Sequence, residues 1–310
     1  MEYWKNKVAI VTGAAHGIGA QIAEDLAKIG MIVIGFEPTQ GRLDEMLNKM
    51  IDWGKFEGQL IPCKCDVSKD EDLKNAFEGI VATYGGVDVL INNAAIGKEG
   101  LICTGVIQDL KAIVDTNIYG LINCTRYAVQ SMVKKNVTGQ IININSICGH
   151  YMPPFAEPKI NMYIASKRTM TVLNILLKNE FKSLYHKIKV TSISPGIVRT
   201  GIFKTAGINF LNEEFFEKNP HLTTKDVSNV VLMILAAPRG IQVNEVIFHA
   251  LIILINLLTF FSVFQWLHNI YIYLLIKNFN SKRLLFYWTP KQCVLCAMPN
   301  FIRIPSVTRT

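Results

Sequence analysis

The chain has 310 residues, half of them hydrophobic, with 21 Gly and 11 Pro, which is enough material for one large domain or one domain with an appendage. Its formal charge of +8 is unevenly placed: all 24 acidic residues precede residue 246 and six of the 32 basic ones follow it, so residues 1–245 carry +2 and the remainder +6. Residues 1–245 hold no basic stripe with interleaved aromatics, which argues against a nucleic-acid partner. The seven cysteines are odd in number and irregularly spaced, and residues 1–7 lack an apolar signal core, so reduced thiols in a cytoplasmic setting are expected. Cys63-x-Cys65 falls at a predicted strand end and Cys293-x-x-Cys296 has no second half, so no metal site is expected.

Taken in chain order, short β-branched runs alternate with helical periodicities, the signature of βαβ units and a parallel sheet. Strands are predicted at 8–11, 32–36, 59–63, 87–91, 140–145, 189–193 and 245–248, with helices near 18–29, 41–53, 70–84, 107–135, 160–185 and 224–236. Most of the strands are unbroken apolar runs, as expected when helices cover both sheet faces. Ser68 and Glu71 have the spacing of a capping box before the third helix, and Thr223 to Asp226 opens the last helix in the same way.

Between the first strand and first helix lies Thr12-Gly13-Ala14-Ala15-His16-Gly17-Ile18-Gly19. Glycines there let backbone approach a pyrophosphate, and the helix start presents free N–H groups and its positive dipole end. Glu37 ends the second strand eighteen residues beyond Gly19. A carboxylate at that point can accept both hydroxyls of an adenosine ribose and repels a 2′-phosphate. Pro38-Thr39-Gln40 offers no cation for that phosphate, and Arg42 sits on the next helix, so NAD is expected over NADP. Farther along, Tyr163-x-x-x-Lys167 places phenol and ammonium on one helix face. A fixed cation there favours the phenolate and lowers the tyrosine pKa; by itself such a pair is more often an ordinary solvated face.

The ordered set Thr12-Gly13-x-x-x-Gly17-Ile18-Gly19, Asp66-Val67, Asn92-Asn93-Ala94-Ala95, Asn117, Ser146, Tyr163-x-x-x-Lys167 and Pro195-Gly196 resembles the short-chain dehydrogenase/reductase family. Stretches such as 144–150, 189–196 and 241–245 resemble its farnesol dehydrogenase-like branch and that of family member 11. The resemblance implies a Rossmann-type doubly wound parallel sheet of about seven strands over residues 1–248, with helices on both faces. It implies a catalytic set of Asn117, Ser146, Tyr163 and Lys167. Tyr163 would be the general acid/base, Ser146 the donor to the substrate oxygen, and Lys167 the holder of the nicotinamide ribose. Asn117 would stand at a helix distortion and anchor a water in the relay to Lys167. For the cofactor it implies Gly13, His16, Gly17, Ile18 and Gly19 at the pyrophosphate, with Glu37 at the ribose and Asp66 and Val67 near adenine. Asn93 and Ala94 would lie beside the cofactor, and Pro195, Gly196, Ile197 and Thr200 at its nicotinamide end. Two positions depart from the pattern. Ala95 replaces the usual Gly, and Glu37-Pro38 stands where the branch usually has a small residue, then Arg, and uses NADP.

Phe155, Ile202, Phe203, Ile208, Phe210, Leu211 and Phe215 suit a lipophilic alcohol or carbonyl, such as an isoprenoid, steroid or retinoid; equally, some of them close the core or a dimer contact. His150 and Tyr151 are expected near the site, the histidine as a structural donor. The resemblance also implies a homodimer or homotetramer through the helices at 107–135 and 160–185. Residues 249–276 contain no charged residue and as a helix would span about 42 Å, longer than a bilayer core of about 30 Å. Three readings of residues 249–310 stand together: a membrane segment at 250–276, an amphipathic segment on a lipid surface or over the site, or a non-native tail translated from non-coding sequence. The positive flank after residue 276 runs against the positive-inside tendency. An oxidoreductase is the leading reading of the whole chain. The alternatives are a non-catalytic dinucleotide sensor or scaffold on the same fold, and a membrane-tethered lipid-metabolising reductase.

Overall fold

A computed structural model describes residues 1–53, 56–152, 160–184, 187–209, 211–251, 285–289 and 292–296. The chain divides into two compact units, Met1–Leu251 and Ile252–Thr310. In the first, β1 (Val8–Thr12), α1 (Gly17–Lys28), β2 (Ile32–Glu37), α2 (Gln40–Trp53), β3 (Gln59–Lys64), α3 (Asp70–Tyr84) and β4 (Val89–Asn92) alternate. They continue through α4 (Ile107–Val114), α5 (Leu121–Lys135), β5 (Gln140–Ile144), α6 (Asn161–Leu184), β6 (Lys189–Pro195), α7 (Ile202–Thr205), α8 (Glu213–Lys218), α9 (Thr224–Ala236) and β7 (Glu245–Phe248). The strands form one parallel sheet in the order β3-β2-β1-β4-β5-β6-β7. The order reverses beside β1, so the β1 and β4 carboxyl ends open a crevice at which such sheets bind ligands.

Alternate residues of each strand face opposite cores, which is why the strands read as continuous apolar runs. Ala9, Val11, Val33, Ile91 and Ile142 pack with Ile22 and Leu26 of α1 and Val227, Val231 and Ile234 of α9. Val8, Ile10, Ile34, Leu90 and Ile141 pack with Leu73 and Phe77 of α3, Ala128 and Met132 of α5 and Phe181 of α6.

Several predicted boundaries move for identifiable reasons. The helix predicted over 107–135 is α4, a π-helical turn Asp115–Gly120, and α5; such wide turns inside helices often mark functional positions. The strand predicted from 87 starts at Val89, since Val87 N–H is taken by Ser131 Oγ at 3.0 Å instead of the ladder. β6 runs on to Pro195 because its pairing with β7 continues to Phe248. The capping box expected at Ser68 does not form: the Ser68 hydroxyl donates to Asp66 Oδ1 at 2.7 Å, and Lys69 is the helix cap. The box at Thr223 and Asp226 does form. Short helices α7 and α8 occupy a region without a helical prediction.

In the second unit β8 (Leu285–Thr289) and β9 (Gln292–Cys296) pair antiparallel. Among the described residues no helix is long and apolar enough to cross a membrane. The candidate membrane segment at 250–276 lies outside them beyond Leu251, as do Phe155 and Phe210.

Candidate active site

The carboxyl ends of β1, β2, β4, β5 and β6 converge on a cavity of about 1030 Å³ that extends to the α7 region. At its floor the turn after β1 reverses with Gly13 at φ 68°, a left-handed conformation that favours glycine. Gly19, in the first turn of α1, lies so close to the Gly13 carbonyl and Asn93 that any Cβ would collide with them. Asn93 fastens this turn to β4: its Nδ2 donates to the Thr12 and Gly13 carbonyls at 2.9 and 3.1 Å. The N–H groups of Asn93 and Ala94 both donate to Thr12 Oγ1.

Glu37 is almost wholly buried. Its Oε1 accepts from Ala15 N–H at 2.6 Å, while its Oε2 is buried without a hydrogen-bond partner. Arg42 Nη1 stands 3.6 Å from that atom, within ion-pair range but beyond a good hydrogen bond. An orphaned buried carboxylate oxygen is costly unless a donor arrives, and an adenosine ribose hydroxyl is such a donor. The collision-close Gly19 turn and the Glu37 oxygen together fit a dinucleotide. Asp66 is ordered by Ser68, whose N–H and hydroxyl both donate to Oδ1, and His16 caps α1 with its ring paired to Glu45.

The other end of the cavity is built on β5 and α6. Ser146 follows β5 and opens a 3-10 turn over Ile147–Gly149, its hydroxyl accepting from Cys148 N–H at 3.2 Å. Tyr163 and Lys167 are one turn apart on α6, with the Lys167 Nζ 5.8 Å from the Tyr163 ring centre. Lys167 is buried and donates to the Ile144 carbonyl at 2.8 Å. Asn117 is held in the π-helical turn: its Oδ1 accepts from Ile96 N–H, and its Nδ2 donates to the Ile96 carbonyl and to Ser166 Oγ.

These surroundings shift both titratable groups. Burial takes the Lys167 ammonium down from 10.5 to about 8. Burial pushes the Tyr163 phenol above its ordinary value, Cys148 adds to the rise, and hydrogen bonding with the Ser146 side chain draws it part-way back.

Of the predicted site residues, Gly13, His16, Gly17, Ile18, Glu37, Asp66, Val67, Asn93, Ala94, Ser146, Tyr163, Lys167, Pro195, Gly196, Ile197 and Thr200 all line the one cavity. Gly19 and Asn117 are not in its lining and act on it through neighbours. Ile202, Phe203, Ile208 and Leu211 also line it, whereas Phe215 is not in the lining and packs edge-on against Phe216. Sequence reasoning missed Ile96, Gly97, Glu99, Cys148 and Ala206, which line the same cavity. Only the proximity of Cys148 to Ser146 carried a signal for any of them. Among the described residues no group of three or more His, Cys, Asp or Glu side chains could hold a metal.

The profile of the short chain dehydrogenase family matches residues 7–209. The chain belongs to that family. It is 42% identical over 247 residues to the farnesol dehydrogenase of Aedes aegypti, covering 79% of this chain and 96% of that one. It is 35% identical over 252 residues to dehydrogenase/reductase SDR family member 11 of Homo sapiens, covering 79% and 95%. Among solved structures, a serine dehydrogenase complexed with NADP+ superposes with a TM-score of 0.68 at 27% identity, covering 78% of this chain and 94% of that one. A family member from Burkholderia phymatum in complex with NAD reaches 0.67 at 23% identity, covering 79% and 90%, and shares the fold. Membership makes the chain an NAD(P)-dependent alcohol dehydrogenase/reductase in the branch that holds the farnesol and member 11 enzymes.

The buried Lys167 has a pH consequence. An unfolded chain keeps this amine protonated up to its ordinary 10.5, whereas the folded chain releases the proton near 8. Below pH 8 both states are protonated and the buried charge opposes folding by about 3 kcal/mol; the opposition fades as pH rises from 8 toward 10.5. Urea melts of the wild type and Lys167→Met should therefore show the wild type gaining stability relative to the variant between pH 7.5 and 10. A pH-independent difference would contradict the burial of a titrating amine.

Proposed function

We propose that the chain interconverts a lipophilic alcohol and its ketone or aldehyde, an isoprenoid such as farnesol or a steroid or retinoid, with Tyr163 as general acid/base. The observation that carries this reading is the meeting of Ser146, Tyr163 and Lys167 at a cavity that also has an apolar wall of Ile202, Phe203, Ile208 and Leu211. The nicotinamide cofactor, when bound, accepts or supplies the hydride. Gly13, His16, Gly17, Ile18 and Gly19 would hold its pyrophosphate, with Glu37 at the ribose and Asp66 and Val67 at adenine. Asn93 and Ala94 would flank it, and Pro195, Gly196, Ile197 and Thr200 would face the nicotinamide.

At the reacting oxygen the chain's own groups divide the work. Ser146 donates a hydrogen bond that stabilises developing charge. Tyr163 takes the proton in alcohol oxidation and returns it in carbonyl reduction. Lys167, with a pKa near operating pH, exchanges a proton with the Tyr163 side of the site. Asn117 fixes the loop at Ile96 and, through Ser166, the start of α6. Tyr163→Phe should lower kcat by at least about 100-fold in a reduced-cofactor absorbance assay on a panel of farnesol, geraniol, retinol and a 17-hydroxysteroid. Equal rates in the two proteins would remove the proton-transfer role and favour a dinucleotide sensor.

Glu37 directs the cofactor choice. Its buried carboxylate suits two ribose hydroxyls and opposes a 2′-phosphate, so NAD is the preferred partner. The ratio of kcat/KM values should favour NAD, and Glu37→Ala should move it toward NADP by about tenfold or more. A wild type that prefers NADP overturns this assignment.

A homodimer or homotetramer is proposed through α4, α5 and α6. On α6, Val172, Ile175 and Leu176 form an exposed apolar stripe, a feature of association surfaces. The body is assigned to the cytoplasm. Full-length protein should remain in the supernatant after an alkaline wash and run as a dimer or larger on sizing. Retention in the membrane pellet would favour the tethered reading, and a monomer would remove the contact through α4, α5 and α6.

A further inference from the structure

His150 ends the turn that Ser146 opens, and the reaction outlined above makes no use of it. Its Nε2 lies 2.9 Å from Ser194 Oγ and 3.0 Å from Glu245 Oε1, and Ser194 Oγ lies 3.3 Å from the same carboxylate oxygen. A carboxylate only accepts, so a consistent proton arrangement has the Ser194 hydroxyl donating to Glu245 and the imidazole Nε2–H donating into the pair. The three residues come from three segments: the Ser146 turn, the end of β6, and the start of β7. Ser194 is fully buried and directly precedes Pro195-Gly196, the wall assigned above to the nicotinamide.

Two further contacts brace the same junction. Arg168, the residue after Lys167, donates through Nη1 to the carbonyls of Gly149 and His150 at 3.0 and 2.5 Å. The Tyr151 hydroxyl lies 3.2 Å from His249 Nε2, and His249 in turn packs against Gly196, its Nδ1 3.0 Å from where a Cβ would stand. The turn that carries Ser146 is thereby linked to the Pro195-Gly196 wall at His150 and Tyr151, and to α6 at Arg168. A closed polar network of this kind specifies geometry more than it adds stability.

We propose that His150, held by Ser194 and Glu245, is a positioning residue that sets the separation between the Ser146 wall and the Pro195-Gly196 wall of the cavity. The role rests on the dehydrogenase reading and on the nicotinamide lying against Gly196. Small displacements matter there, since misplacement by about 1 Å can cost on the order of 100-fold in rate. The adenosine end of the cofactor, held by the β1 turn and Glu37, is remote from this junction in sequence and untouched by it.

The test uses His150→Ala, His150→Gln and Glu245→Ala in the full chain, with the reduced cofactor that the wild type binds more tightly. Two quantities are read in the binary complex, the dissociation constant and the nicotinamide fluorescence lifetime, followed by kcat and KM. In His150→Ala the lifetime should shorten and kcat fall by about tenfold or more, with cofactor affinity within about threefold of wild type. Glu245→Ala, at a partly exposed position, should show the same pattern and serves if His150→Ala does not fold. His150→Gln, which keeps a donor at the Nε2 position, should recover both quantities to within about threefold.

Unchanged lifetime and kcat in both alanine variants would overturn the proposal. So would a glutamine variant as impaired as the alanine one, or a rate loss explained wholly by weaker cofactor binding. The lifetime needs no turnover, so it decides the role of His150 even if no substrate in the panel reacts; failure of the dehydrogenase reading appears separately, as Tyr163→Phe matching the wild type.

Discussion

The bond from Lys167 Nζ to the Ile144 carbonyl, 2.8 Å long and buried, is the contact on which the site depends. It joins α6 to the end of β5 two residues before Ser146, so the helix bearing Tyr163 and the turn bearing Ser146 share one register. A buried amine without an acceptor would be costly. The strand end supplies that acceptor because a parallel strand stops offering its carbonyls to neighbours where its ladder ends. The same burial brings Lys167 down to about 8, which makes it an amine able to exchange protons at neutral pH. Positioning and acid–base tuning thus come from one act of burial.

Around that contact the fold repeats a single device: side chains tie the carboxyl ends of the strands to one another where the ladder no longer does. Asn93 grips the Thr12 and Gly13 carbonyls, Glu37 receives Ala15 N–H, and Asn117 holds both backbone groups of Ile96. Glu37 and Asn117 are buried and Asn93 is half-buried, and these bonds give each a partner, as an interior requires. Among the described residues Glu37 Oε2 is one of four buried side-chain atoms without a hydrogen-bond partner, and a ribose hydroxyl would supply its donor. The His150–Ser194–Glu245 triangle extends the device to β7, the last strand of the sheet.

The legible parts of the sequence were those in which neighbours along the chain make the feature. The glycine turn and the Tyr163–Lys167 pair depend on spacing within a few residues, and the structure places all of them around one cavity except Gly19, which supports it from behind. The helix distortion at Asn117 was accessible only through family resemblance. No local pattern marks a π-helical turn, which forms where Asn117 reaches across to Ile96. The short helices α7 and α8 were missed because at four and six residues they carry no useful periodicity and are too short to be stable alone. Ser68 shows the opposite error, a correct local signal overridden when Asp66 captured the hydroxyl.

By itself the sequence determined the parallel α/β plan and the dinucleotide turn and, through its ordered motifs, the family. These follow from periodicity and short spacings that survive in any context. The tertiary structure alone decided that Lys167 is buried against the Ile144 carbonyl, that Phe215 packs on Phe216 rather than lining the cavity, and that His150 ties the Ser146 turn to β6 and β7. Those outcomes depend on burial and on contacts between residues up to about a hundred positions apart, such as His150 with Glu245 and Tyr151 with His249. Desolvation and long-range hydrogen bonding exist only once the chain has closed around them.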